Sequence, residues 1–120
     1  RPQPGEWSAL DTIAHLIHTE RNNRQFIDEL VQGFERAGDD FGGNIDAHVR
    51  ATVQTYPSIE AILAELERNV AENVAFIGNL PPEFVARKGS YFRMGWGMMQ
   101  ATTHIHAHIE QIKAALAAAK

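Results

Sequence analysis

The sequence contains no cysteine, which excludes a disulfide framework, a zinc finger, an iron–sulfur cluster and a thiol nucleophile supplied by the chain itself. Any metal must be held by His, Asp or Glu. Basic residues are few: eleven Lys plus Arg stand against fifteen Asp plus Glu, a formal net charge of −4. No basic block provides the phosphate-tracking surface that dominates nucleic-acid affinity, so nucleic acid is not an expected partner. No apolar run approaches the roughly 20 residues that span a bilayer, so no membrane is expected either. The opening Arg1-Pro2-Gln3-Pro4-Gly5-Glu6 lacks the apolar stretch of a signal peptide, and a cytoplasmic address is the default expectation. Because the chain opens on Arg rather than Met, it is expected to have been trimmed or processed. A composition of 44% hydrophobic and 22% charged residues excludes collagen-like, low-complexity and wholly disordered chains. A length of 120 residues predicts one domain spanning 1–120.

Helical periodicity organises the chain. Ser8-Ala9-Leu10-Asp11 is a capping signature, and at about 100° per residue Ile13, Leu16, Ile27, Leu30, Val31 and Phe34 share one arc. The pattern predicts one long helix from residue 9 to about 36, ending before Gly38-Asp39-Asp40-Phe41-Gly42-Gly43. Residues 44–56 read either as a short helix carrying Ile45, Val49 and Val53 or as an ordered connection, closed by Pro57. Ser58 opens a second long helix with Ile62, Leu63, Leu66, Val70, Val74 and Ile77 at helical spacing, stopped by Leu80-Pro81-Pro82. Gly89 and Gly95, set among Phe84, Tyr91 and Phe92, predict a wrapped loop over 83 to about 95. A last helix is expected from about Trp96 into the Ala-rich end. Three long amphipathic helices without a convincing strand pair predict an all-α, antiparallel helical bundle, the architecture that places metal sites between facing helices.

Six histidines matter through their placement. His104 and His108 stack on one helix face with Cβ atoms roughly 6 Å apart, and Gln111 continues that row. The row borders the apolar stripe of Met98, Ile105, Ile109, Ile112 and Leu116, so it looks into the bundle; His106 falls on the opposite, polar side beside Glu110 and Lys113. On the first helix His15 lies at the edge of the apolar arc and is the inward candidate, while His18 is rotated outward by about 60°. His48 reads as a loop or surface residue. The alternative for His104 and His108 is a pair of satisfied histidines without a ligand. Glu20 and Asn23 interrupt the apolar arc, which marks a candidate cavity; the plainer reading of Glu20 is a partner for an Arg such as Arg68 on a neighbouring helix. Trp96, Met98 and Met99 read as core packing.

Pro4-Gly5-Glu6-Trp7-Ser8, then His15-Leu16, and finally His104-Ile105-His106-Ala107-His108-Ile109-Glu110-Gln111-Ile112 resemble the DinB-like superfamily over nearly the whole chain. The resemblance implies a four-helix bundle, frequently a homodimer, holding a divalent metal, commonly nickel or zinc, through three histidines. Carried over, these are His15, His104 and His108. Two departures stand out. The family usually carries a helix ahead of its Trp-Ser motif, for which this chain has no room, so that helix is expected either to have been removed or to be replaced by a partner subunit. His106 is an extra histidine, placed away from the row.

Three neutral imidazoles leave the ion's charge uncompensated and at least one position open, the pattern of a catalytic site. Ile105 occupies the place of the Glu in His-Glu-x-x-His, and no Glu-x-x-His occurs, which disfavours zincin proteolysis and ferritin-like chemistry. The resemblance further implies transferases using low-molecular-weight thiols such as bacillithiol or mycothiol, a thiol-dependent isomerase, and metal-dependent hydrolases. The leading expectation is a metal-dependent thiol S-transferase or hydrolase acting on a small-molecule substrate, with Glu20 in proton transfer and Gln111 steadying the ligand row. The alternative is a non-catalytic helical dimerisation module with a structural or vestigial metal site.

Overall fold

The computed structural model describes residues 5–34 and 44–118. Five helices follow one another: α1 (Ala9–Gln32), α2 (Ile45–Thr55), α3 (Ile59–Gly78), α4 (Pro82–Val85) and α5 (Lys88–Ala118), and no strand occurs among the described residues. The protein is an all-α helical bundle. α1 starts where its capping box closes: the Ser8 hydroxyl accepts from the Asp11 N–H at 3.2 Å, and the Ser8 N–H donates to the Asp11 carboxylate at 2.9 Å.

α1 is the central element, packing against α2, α3 and α5. Ile13, Ala14 and Ile17 form one core cluster with Val49 of α2 and Ile62 of α3, flanked by Ile112 of α5. Ile27 and Leu30 form a second with Phe84 and Met94, flanked by Phe76 and Ile77. Early residues of α1 thus meet early residues of α3 and late residues meet late, so α1 and α3 run in the same direction. α5 runs antiparallel to α1, because Ile112 meets the start of α1 and Met94 its end. The connection that carries α2 makes the parallel pair possible, as crossover connections do in other bundles.

Four differences from the sequence reading have local causes. α1 ends at Gln32 rather than near residue 36, because Gly33 adopts the left-handed region (φ 89°) and the Phe34 N–H turns back to the Glu29 carbonyl at 2.8 Å. Phe34 consequently leaves the apolar arc for solvent, and the run from Gly38 to Gly43 lies outside the described residues. The segment over 44–56 is a helix, α2, in which Val49 and Thr52 are buried and Val49 joins the core cluster of α1.

The loop expected over 83 to about 95 is instead α4 and the first turns of α5. Pro82 supplies a preset first helical residue, and Phe84 is fully buried under the end of α1. The third departure concerns the core: Trp96 (54% exposed) and Met99 (62%) do not pack inside, and Met94 takes the buried position. Lastly, Val70 and Val74 of α3 and Met98, Ile105 and Ile109 of α5 remain exposed, because α1 binds one side of both helices and no described element covers the other.

Gly95 lies within α5 with no heavy atom within 4 Å of where a Cβ would sit. Gly95→Ala should therefore stabilise the protein by about 0.5–1 kcal/mol, through lower backbone entropy in the unfolded chain. A higher urea midpoint at unchanged slope is the expected result.

Candidate metal centre

The capped start of α1 places His15 two turns along, on the side facing α5. There the His104–His108 row of α5 comes up against it, with ring centroids 5.4 Å and 4.8 Å from His15. One ring nitrogen from each of the three residues lies within 4.8 Å of the others. Nε2 of His104 and Nε2 of His108 are 2.9 Å apart. Two nitrogens bound to one first-row ion at about 2.0–2.1 Å stand roughly 3 to 3.5 Å apart, so a small opening of the pair suffices to admit one.

One of the paired nitrogens is held in the ligating form by its neighbour, and the other donates to it: Nε2 of His104 gives its hydrogen to Nε2 of His108 until an ion takes that hydrogen's place. Gln111 Oε1 lies 2.8 Å from Nδ1 of His108; a carbonyl oxygen only accepts, so Nδ1 carries the hydrogen and Nε2 keeps its lone pair. Nδ1 of His15 is buried without a hydrogen-bond partner, a vacancy that would be costly in a closed apolar core. Burial first, then the neighbouring His108, His104 and His18, push the His15 imidazole down to about 4. Burial and His108 lower His104 in the same direction. Neutral imidazole is the ligating form, and the lowering at His15 and His104 favours it at both. A donor set of three imidazoles, on a residue group that includes a buried and unpaired ring nitrogen of His15, fits a divalent ion.

His106 points away, exposed, with Nδ1 2.9 Å from the Thr102 carbonyl. Two neighbours of the centre were not legible in advance. Trp7 packs its ring 4.8 Å from that of His15 while its Nε1–H donates to Asp46 of α2 at 3.3 Å. His48, expected as a loop or surface residue, lies on α2 and stacks on His18 at 4.5 Å with the rings 17° from parallel. Burial and then His48 and Arg21 lower His18. No sequence signal could have joined them, since that pairing depends on how α2 returns along α1.

Glu20 does not pair with Arg68. Its carboxylate accepts from Nδ2 of Asn73 at 2.6 Å, and the same Nδ2 donates to its backbone carbonyl at 3.0 Å. Arg68 instead pairs with Glu65 at 2.7 Å and Glu72 at 2.6 Å on its own helix. Burial alone would raise the Glu65 carboxyl, but hydrogen bonds from Arg68, Asn69, Arg21 and Tyr56 outweigh it and hold the group at about 2.

A family model of the DinB superfamily matches residues 1–112. The chain belongs to the DinB superfamily. No curated protein and no solved structure matches it. No helix among the described residues is long and apolar enough to cross a membrane.

These shifts set an acid dependence for the metal-free DinB-superfamily protein. An unfolded His15 takes up a proton near 6.5 whereas the folded one resists until about 4, so the unfolded chain binds more protons and stability falls as pH drops through that window. The loss reaches about 3 kcal/mol at its lower end. Glu65 adds a further loss between its ordinary 4.5 and about 2, with the same sign. Urea midpoints measured from pH 7 to 3 should decline in both windows, and His15→Ala should shrink the first, to which His104 and His18 also contribute, while leaving the second.

Proposed function

We propose that the protein is a divalent-metal enzyme of the thiol S-transferase or hydrolase type, with His15, His104 and His108 as the ligands and nickel or zinc as the ion. The observation that carries this reading is the convergence of three imidazoles in a group that contains no fourth His, Cys, Asp or Glu among the described residues. Such a set leaves room for an exogenous ligand. A divalent ion held there supplies Lewis acidity, which near neutrality turns a bound water or a low-molecular-weight thiol into a nucleophile. A thiol cosubstrate suits a chain that has no sulfur nucleophile of its own.

The protein's own residues do the positioning. Gln111 fixes the tautomer of His108. Trp7 backs the His15 ring, and the capped turn at Ser8 fixes where α1 begins. His104 shares a shallow depression with Thr19, Asn23, Gln100 and Thr103, polar groups suited to holding a small substrate beside the imidazoles. The proton-transfer role expected of Glu20 has less support, because its hydrogen bonds hold it toward α3 and Asn73.

Cobalt-loaded protein titrated with bacillithiol, mycothiol or a simple alkyl thiol tests the reading. A new thiolate-to-metal charge-transfer band, with one thiol bound per ion, is expected of the transferase. Water exchange without thiol binding points to the hydrolase, and a closed fourth ligand from the protein overturns both. A second reading, a homodimerising helical module, is favoured by the exposed apolar faces of α3 and α5; a concentration-independent monomer mass contradicts it.

A further inference from the structure

Between α1, α3 and α5 lies a half-open cavity of about 200 Å³. Its floor is buried Ile27 and Met94, its rim is the exposed Val70, Val74 and Met98, and one end is polar, formed by Glu20, Asn23 and Asn73. An apolar cavity of about 150 Å³ takes benzene, so this one admits a slightly larger aromatic or branched aliphatic body. The polar end has a definite preference. Asn73 is 8% exposed and commits its Nδ2 to Glu20, leaving Oδ1 buried and without a donor. Glu20 is bonded to Asn73, and among the described residues no Arg or Lys nitrogen pairs with it; Arg24, which also lines the cavity, is held by Glu72 at 2.7 Å. A carboxylate at this end without a basic partner favours a cation that carries several N–H groups.

We infer that this cavity binds a small apolar amine in its protonated form, with the hydrocarbon between Ile27, Val74 and Met94 and the ammonium on Glu20 beside Asn73. Binding here does not require an ion on the histidines. The cavity shares Asn23, Gly97 and Ala101 with the depression beside His104, so an occupant lies next to the approach to the centre.

The test uses metal-free protein and 2-phenylethylammonium, followed by methyl NMR of Ile27, Val70, Ile77, Met94 and Met98. Saturable shifts confined to those methyls are expected. 2-Phenylethanol should bind more weakly and 3-phenylpropanoate not at all. Glu20→Gln should weaken the amine by at least about ten-fold while leaving the alcohol unchanged. Val74→Trp, at an exposed rim position that the fold does not need, should close the mouth and abolish both. Absence of shifts at millimolar amine, equal binding of the carboxylate, indifference to Val74→Trp, or a second copy of the chain found seated across the cavity would each overturn the inference. None of these outcomes bears on metal binding, which the histidine variants report separately.

Discussion

Replacing His15 with alanine should weaken zinc or nickel binding by at least about 100-fold and leave the helical fold intact. The size follows from what the residue supplies. Residues that only orient a metal ligand typically cost 10–100-fold when removed, and loss of one of three ligands should exceed that. The fold should survive, because the buried Nδ1 of His15 has no hydrogen bond to lose, and its removal relieves the acid penalty described above. Gln111→Leu makes the graded comparison: it keeps all three imidazoles but frees Nδ1 of His108, so its loss should be about ten-fold. Competition against a chromophoric chelator measures both. Unchanged affinity in His15→Ala would mean that the ion, if bound, sits on α5 alone.

Phe84→Ala should destabilise the protein by about 3–5 kcal/mol, the usual cost of deleting a fully buried aromatic side chain. Phe84 has no solvent exposure. It contacts Ile27 and Leu30 at the end of α1 and Met94 at the start of α5, and its ring stands 6.3 Å from that of Tyr91. The Arg87 guanidinium lies over the ring at 5.1 Å and donates to the Val31 carbonyl, tying the α4–α5 corner to α1. That corner sets the register in which the long α5 passes α1, and with it the height at which His104 and His108 meet His15. A loss of stability accompanied by weaker metal binding is therefore expected, with urea unfolding and chelator competition as the two readouts. A cost below about 1 kcal/mol would mean that the corner rearranges freely.

The same corner shows where the sequence stops being informative. Gly89 and Gly95 in a stretch with Pro81 and Pro82 carry strong local signals for a loop. They were overridden because Phe84 and Met94 bury together on α1, and tertiary burial outweighs the roughly 1 kcal/mol by which a glycine disfavours a helix. Two other helix starts announced themselves: Ser8 and Ser58 cap α1 and α3 as their side chains and spacing require. Direction was less accessible. Periodicity says which face of a helix is apolar but not which way its neighbour runs, so the parallel course of α1 and α3 appears only in the contacts.

At the centre, residues that share a helix were the legible ones. His104, His108 and Gln111 follow from spacings of four and three, and the structure brings Gln111 to Nδ1 of His108. His15 was readable as inward-facing from its place beside the apolar arc. Its meeting with the α5 pair depends on how α1 and α5 pack. Glu20 and Asn23 broke the apolar arc, and that break does line a cavity. The partner of Glu20 was not readable, because Arg68 satisfies itself on Glu65 and Glu72 three and four residues away. The same two carboxylates also take Arg21 and Arg24 of α1, so the ion pairs on this side close without Glu20, which is left to Asn73.

Metal content of protein purified without a polyhistidine tag tests the central claim most directly, with the parent compared against a variant carrying both His104→Ala and His108→Ala. Close to one first-row divalent ion per chain in the parent, and none in the double variant, is the result the three-histidine centre predicts. A parent that holds no ion after incubation with zinc or nickel and washing, or a double variant that retains a full equivalent, would contradict it.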